Sequence, residues 1–394
     1  MEEILIISNY YPPEKGAAAN RIEQLALKLY QNSYKVSVIC PLANYPKGAL
    51  FPEYKGKFSV TEKRDNITIK RLWIYPSVSK NIFIRSISVL SFSLSLFIFL
   101  LFKKTPQKVI VQSPPLLLSF LSIFVISLKN KKIILNISDL WPMAAIELNA
   151  LKKGSLSHKF SLFLECYIYK KATLIIGQST EIITHVHSIF PKKDAFLYRN
   201  FPDHNVSKIE LIGEKDETIR IFYAGLLGIA QGVFELCQKI DITGLNIELH
   251  LFGDGSEKNQ IEALISSKND LKIYFHGMQE RKALHETLKS FDIAIVPLKT
   301  RIYGSVPSKI FEYSSLGFPI LYFGGGEGET IVHEHNLGWV VPVGNYKDLN
   351  EKLNTISTKP KSELNEKKKE IFKEAQKAFN LDYQMKMLIK KEVF

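Results

Sequence analysis

Short, nearly unbroken apolar runs recur along this chain, and stretches with helical spacing separate them. In the first half the runs are EILIISN at 3–9, KVSVIC at 35–40, TIKRLWI at 68–74, KVIVQS at 108–113, KIILNIS at 132–138, ATLIIGQS at 172–179 and AFLYRN at 195–200. Helical stretches lie at 17–31, 82–102, 116–128 and 157–171. A strand with no polar face is buried on both sides, which is the condition of a parallel sheet covered by helices. The polar passage FPDHNVSKIELIGEKDET at 201–218 interrupts the alternation, and then it restarts. The later strands are IRIFYAG at 219–225, NIELHLFG at 246–253, LKIYFHG at 271–277, FDIAIVP at 291–297 and PILYF at 319–323, with helices near 231–240, 256–268, 280–290 and 307–316.

A chain of 394 residues exceeds the usual size of one core. The expected fold class is α/β: two parallel-sheet domains in series, with the carboxyl ends of their strands lining a cleft. The first domain spans 1–204 and the second 205–372, and a helical segment at 373–394 returns to the first. The lysine-rich stretch from Lys359 reads as a helix solvated on one side and anchored by Leu364, Ile371, Phe372 and Phe379.

The formal net charge is +13, and basic residues recur beside apolar runs, as in FKKTPQK at 102–108, KNKK at 129–132, LKK at 151–153 and YKKA at 169–172. Such clusters point to an anionic surface or anionic substrates. No zinc-finger spacing or RNA-binding signature accompanies them, which argues against nucleic acid. Cys40, Cys166 and Cys237 are far apart with hydrophobic flanks, as in reduced cytoplasm. The start MEEILIISNYYPP reads as a first strand and not as a signal peptide. The segment 82–102 is long enough to span a bilayer, but it carries Arg85 and serines on more than one face. It is expected to lie on or dip into a membrane; a buried core helix and a true span are the alternatives.

The most informative unit is YGSVPSKIFEYSSLGFPILYFGGGEGET at 303–330. Pro307 suits the start of a helix, and Gly317 with Pro319 ends it before a strand near Ile320. Lys309 and Glu312 then share one helical face. A first-turn lysine opposes the helix dipole unless an anion sits between its amine and the free N–H groups. Glu312 is placed to accept hydrogen bonds from a diol such as a ribose; an ordinary solvent-facing Lys/Glu pair has the same spacing.

Other candidates sit at predicted strand ends. The first loop, YYPPEKGAAANR, has Gly16 and small residues that let a ligand approach the backbone, without a dinucleotide GxGxxG. After KIILNIS comes SDLWP, where Asp139 suits a hydroxyl and Trp141 a sugar face, a helix N-cap being the alternative for Asp139. YAGLLGIAQG brings Gly225, Gly228 and Gly232, and the GDG turn brings Gly253. His158, His185 and His187 lack metal-ligand spacing, and no metal is expected.

In their order, the first loop, SDLWP, YAGLLGIAQG, LFGDGSE, FHGM, DIAIVPL, PSKIFEYSSLGFPI and GGEGE resemble the retaining glycosyltransferases of the GT-B fold. The likeness is strongest to bacterial enzymes of O-antigen, capsule and colanic-acid biosynthesis. It implies two Rossmann-like domains facing a central cleft, and a hexosyl- or N-acetylhexosaminyl-transferase with no cofactor. The donor would be a UDP-sugar or GDP-sugar, and the acceptor a saccharide carried on polyprenyl diphosphate. The protein would be cytoplasmic and peripheral at the anionic inner face of the membrane, serving lipopolysaccharide or related polysaccharide synthesis. Carried over by position, Lys309 contacts the diphosphate and Glu312 the ribose. Ser308, Gly225, Gly228, Gly253, Gly326 and Glu327 complete the donor side. Asp139 is the cleft-facing acid, and Gly16 and Trp141 lie toward the acceptor. Two motifs depart from the pattern. Gly304 replaces the first carboxylate of an E-x7-E pair, and Leu226 and Gln231 replace the arginine and lysine of GRLxxxKG, leaving Lys309, Arg301 or Lys299 to supply the charge. A non-hydrolysing UDP-N-acetylhexosamine epimerase and a non-catalytic membrane-associated nucleotide-binding scaffold are the alternative readings.

Overall fold

The computed structural model describes residues 1–45, 48–77, 82–203, 217–267 and 271–394, with backbone alone for Ile82, Phe83 and Arg85. Most of the predicted linker, and the boundary placed at 204/205, lie outside the described residues. The chain forms two compact units. One is Met1–Asn200 with Tyr303–Ser305 and Asp382–Phe394, and the other is Phe201–Ile302 with Val306–Leu381.

The first unit contains β1 (Glu3–Ile7), α1 (Ala17–Gln31), β2 (Lys35–Pro41), β3 (Ser59–Arg64), β4 (Ile67–Leu72), α2 (Ile82–Phe102), β5 (Lys108–Ser113), α3 (Leu116–Leu128), β6 (Lys132–Ile137), α4 (Met143–Glu147), α5 (Leu156–Lys171), β7 (Leu174–Gly177), α6 (Thr180–Ile189) and β8 (Ala195–Leu197). Its eight strands run in the order β3-β4-β2-β1-β5-β6-β7-β8. All neighbours are parallel except β3, which forms a hairpin with β4. That hairpin was not among the expected elements, because SVTEKR is charged and exposed, as edge strands are. Its turn signal is Asp65-Asn66, both residues in the left-handed region that a two-residue hairpin turn requires.

The second unit contains β9 (Ile219–Leu226), α7 (Val233–Lys239), β10 (Ile247–Asp254), α8 (Lys258–Ser267), β11 (Ile273–Phe275), α9 (Arg281–Leu288), β12 (Ile293–Pro297), α10 (Ser308–Ser315), β13 (Ile320–Phe323), α11 (Glu327–Glu334), β14 (Gly338–Val341), α12 (Tyr346–Ser357) and α13 (Lys361–Ala378). Its six strands are all parallel, in the order β11-β10-β9-β12-β13-β14. Helix α14 (Leu381–Ile389) begins at the border and continues in the first unit. Strand order reverses between β1 and β5 in one sheet and between β9 and β12 in the other. Ligands of doubly wound sheets bind at such reversals, beyond the carboxyl ends of the strands.

The chain leaves the second unit after Leu381 and not at residue 373, because α13 runs unbroken to Ala378 and is anchored on that unit. Leu364, Ile371 and Phe379 are buried, while Phe372 is only partly covered. The polar side is less solvated than its composition implies. Lys361 Nζ pairs with buried Asp292 at 2.5 Å, and Lys368 Nζ donates to the Phe291 carbonyl at 2.5 Å. Burial lowers the Lys368 pKa from 10.5 to about 8, against the attraction of Asp292. The unfolded lysine keeps its proton to higher pH, so unfolding takes up a proton between about 8 and 10.5 and stability rises with pH across that window. Urea titrations at both ends of it are expected to show Lys368→Met losing this rise, on the order of 1–3 kcal/mol.

Candidate functional site

In the second unit, glycines let the strand ends close on one another. A Cβ on Gly253, whose φ is 142°, would lie 1.8 Å from the Gly225 carbonyl oxygen, so β9 and β10 can converge there only without a side chain. Gly225 also makes room for Lys309: a Cβ at 225 would fall 2.3 Å from Lys309 Cε and 2.7 Å from Nζ. The ammonium donates to the Ala224 carbonyl and lies 5.7 Å and 5.2 Å from the ring centroids of Tyr223 and Tyr313. The Tyr313 hydroxyl donates to the same carbonyl at 2.7 Å and accepts the Ala224 N–H at 3.1 Å. Burial pushes the Tyr313 pKa well up, so it serves as a fixed neutral hydrogen-bonding group.

Helix α10 places these groups. Pro307 caps it in extended conformation, Ser308 is its first residue, and Gly317, with φ 84°, lies just past its end. Glu312 lies one turn beyond Lys309 and is half-buried, with Arg281 Nη2 at 3.4 Å and His285 Nε2 at 3.9 Å, both from α9. Past β13 the glycine-rich turn leads directly into α11, which was not among the expected helices. Gly326 caps α11 at φ 79°, and a Cβ there would meet Arg301 Nε at 2.9 Å, so Arg301 crosses the start of that helix. Glu327, its first residue, is buried. Gly228 lies in the loop after β9, where a Cβ would lie 2.8 Å from Gln231 Oε1, a buried oxygen without a hydrogen-bond partner. Leu226 is exposed. Lys299 is held by Glu235 at 2.8 Å, and Lys239 shares that carboxylate at 2.6 Å.

The first unit has its own polar cluster at the ends of β5, β6 and β7. Asp139 lies beside Ser138, whose Oγ donates to it at 3.3 Å. Burial raises the Asp139 pKa to about 6, against that hydrogen bond and the charge of Arg21. It is not a helix cap, since Pro142 holds that position on α4. Arg21 is buried on α1, donating to Asn200, to Asn136 Oδ1 at 2.8 Å and to the Tyr198 carbonyl at 3.1 Å. Gln112 joins Asn136 to Ser138, accepting at 2.5 Å and donating at 3.0 Å. Trp141 is partly exposed. Gly16 caps α1 opposite the Tyr45 ring. Behind it, buried Glu14 accepts the N–H groups of Asn44 and Tyr45 at 2.9 Å and 3.0 Å, tying the first loop to the 42–54 segment.

Residues 207–378 match the family described as Glycosyl transferases group 1. Among curated proteins the chain is 23% identical to the probable glycosyltransferase WbjE of Pseudomonas aeruginosa, over 54% of this chain and 56% of that protein. It therefore spans little more than half the length of that relative. Over the whole chain it is similar to the sucrose-phosphate synthase of Thermosynechococcus elongatus, with TM-score 0.74, 13% identity and 99% of both chains covered. It is also similar to Alr3699/HepE of Anabaena, solved in complex with UDP, with TM-score 0.65, 12% identity and 99% of both chains covered. The fold is GT-B.

In this GT-B chain the donor-side residues expected from sequence all lie around the strand ends of the second unit, with Lys309 directly on Gly225. Sequence reasoning missed Tyr313, Arg281 and His285, and in the first unit Arg21 and Glu14. Arg21 alone left a trace, as a charge among the apolar positions Ile22, Leu25 and Leu29. Among the described residues, no group of three or more His, Cys, Asp and Glu side chains is arranged to hold a metal ion. Glu165 engages His185 at 2.9 Å, and the Lys193 carbonyl lies 3.0 Å from His187.

Gly225→Ala separates packing from chemistry. The added methyl meets the flexible end of Lys309 and comes to 3.2 Å from the Tyr223 hydroxyl, which has to shift by only about a few tenths of an ångström, so the melting temperature should stay within a few degrees of wild type. Displacing the ammonium should weaken nucleotide binding about tenfold or more by calorimetry.

Proposed function

We propose that this protein is a retaining glycosyltransferase. It moves a sugar from a UDP-sugar, or a GDP-sugar, to a saccharide on a polyprenyl diphosphate at the inner face of the bacterial membrane. The product belongs to a surface polysaccharide of the O-antigen, capsule or colanic-acid kind. The observation that carries this reading is the ammonium of Lys309, held over Gly225 at the end of β9, with Glu312 one turn away on the same helix. A cation at a strand end suits a diphosphate, and a half-buried carboxylate a turn further suits the two hydroxyls of a ribose.

In the proposed reaction the bond from the anomeric carbon to the diphosphate oxygen breaks, and the acceptor oxygen bonds to the same face of that carbon. The acceptor proton passes to the departing diphosphate. Lys309 stabilises the charge growing on that group, leaving the Ala224 carbonyl to do so. Arg301, lying across Gly326, takes the part of the basic residues replaced by Leu226 and Gln231. Lys299 is unsuited to it because Glu235 already holds it. Asp139, on the first unit, accepts a hydrogen bond from the acceptor hydroxyl, and Trp141 offers a face to the sugar. The division of labour, acceptor on the first unit and donor on the second, is part of the proposal.

Glu312→Ala should weaken UDP or GDP binding about 10- to 100-fold by calorimetry, the range for a lost hydrogen bond to a charged group. Lys309→Ala should lower kcat about 100- to 1,000-fold with a smaller change in KM. Arg301→Ala should weaken donor binding, and Lys299→Ala should not. With a raised pKa, Asp139 is ionised only above about 6, so kcat/KM should rise through that pH and then level off. Asp139→Asn should remove that limb. Normal transfer kinetics in the Lys309 and Glu312 variants would refute the site. Conversion of a free UDP-N-acetylhexosamine without acceptor would instead mark an epimerase, and absence of nucleotide binding a scaffold.

A further inference from the structure

Helix α2 has two apolar faces. Phe92, Leu96 and Leu100 are buried in the core of the first unit. On its outer side Ile87, Leu90, Leu94, Ile98 and Leu101, spaced by three or four, are each 42–53% exposed. Single exposed apolar residues need no explanation, but a helix-long stripe does. The stripe does not stand alone. Helix α3 packs between α2 and α5, and it exposes Phe124 and Leu128. Helix α5 exposes Leu156, Phe160 and Phe163, and Phe120 of α3 lies 6.2 Å from the Phe163 ring. Three adjacent helices thus present large apolar side chains to solvent.

Charge identifies what covers them. No acidic residue occurs between Asp65 and Asp139, and the one acid of α5, Glu165, is buried against His185 and Tyr169. Lysines alone carry the charge at the exposed helix ends and on α5: Lys103 and Lys104 after α2, Lys152 and Lys153 before α5, and Lys159 and Lys170 on it. A second copy meeting this face about a two-fold axis would bring lysine against lysine. An anionic bilayer meets both features, since acyl chains take the apolar stripe and headgroups take the amines. No helix among the described residues is long and apolar enough to cross a membrane, and α2 has one face in the core, so it lies along the surface. Trp73 and Tyr75 flank it, and the Tyr75 N–H donates to Ser91 Oγ at 2.8 Å. Aromatic residues of this kind favour the headgroup level. Beside Ile98 opens a groove of about 400 Å³ lined by Phe58, Leu72, Trp73, Ser95 and Phe99. Its one hydroxyl, on Ser95, is turned back onto the Ser91 carbonyl, which leaves a lining suited to a hydrocarbon chain.

We infer that the joint face of α2, α3 and α5 docks this protein on an anionic lipid bilayer, with one lipid chain entering the groove beside Ile98. The inference rests for its biological sense on the lipid-linked reading of the acceptor, while its evidence lies wholly on this face. The test is cosedimentation of the full chain with phosphatidylcholine vesicles, with and without phosphatidylglycerol. UDP and GDP binding and oligomeric state are measured on the same preparations. The expected result is binding that requires phosphatidylglycerol, weakens in high salt, and falls at least tenfold in Leu90→Gln/Leu94→Gln/Ile98→Gln while nucleotide affinity stays unchanged. A Lys152→Ala/Lys153→Ala/Lys159→Ala variant, which leaves the apolar stripe intact, should lose the preference for the anionic lipid. Absence of vesicle binding by the wild type would overturn the inference. So would a dimer that the glutamine variant dissociates, because the face would then be a contact between copies. Vesicle binding without nucleotide binding would support the docking face and refute the transferase reading.

Discussion

A parallel strand covered by helices on both faces has nowhere to put a polar side chain except at its ends, and this organises both units. Strands β5, β7, β9, β12 and β13 are apolar through their middles, so chemically useful groups collect where the strands stop. At the carboxyl end of β9 the backbones of β9 and β10 converge and Lys309 lies against Gly225, because Gly225 and Gly253 have no side chains to hold them away. The buried Ala224 carbonyl there receives both Lys309 and Tyr313, so one peptide group locates the cation and the helix that carries it. Glu312 and Lys309 are then fixed by the same helix.

The polar groups buried at the strand ends of the first unit form a connected network, in which the Arg21 Nε is left without a hydrogen-bond partner. Asn136 on β6 and Gln112 on β5 are buried side by side, and Arg21 from α1 closes the network with Asn200 and the Tyr198 carbonyl. An isolated buried guanidinium would be costly, and here three oxygens share it. Asp139 sits at the edge of this assembly with its pKa lifted by burial, so its charge is available only above about pH 6. A carboxylate tuned toward neutrality at a strand end is a group that can respond to a hydroxyl.

Much of this was legible in the chain. The alternation of apolar runs and helical stretches located α1, α2, β5 and α3 at their observed bounds. Gly317 with Pro319 marked the end of α10 because a left-handed residue followed by proline cannot continue a helix. Elements lost include the charged edge strand β3, helix α6 with its capping Ser179, helix α11, which begins inside a run of glycines, and the short strand β14. In the site, Lys309, Glu312 and the glycines could be named from spacing. Tyr313 and Arg281 could not, since a tyrosine one residue from a glutamate and an arginine thirty-one positions away carry no local mark of their contacts.

The sequence by itself determined the class of fold, the two parallel sheets and the helix that carries Lys309 and Glu312, because periodicity, proline and glycine act over a few residues. Tertiary structure alone decided which charges were free for work. Lys299 and Lys309 are equivalent as letters, yet Glu235 holds one while the other lies across Gly225 at a strand end. It also decided the character of α2. Composition left open whether its apolar residues fill a core or face outward, and packing against one side of the first unit made both true. Ion pairing and burial depend on neighbours far away in the chain, and only the folded arrangement brings those neighbours together.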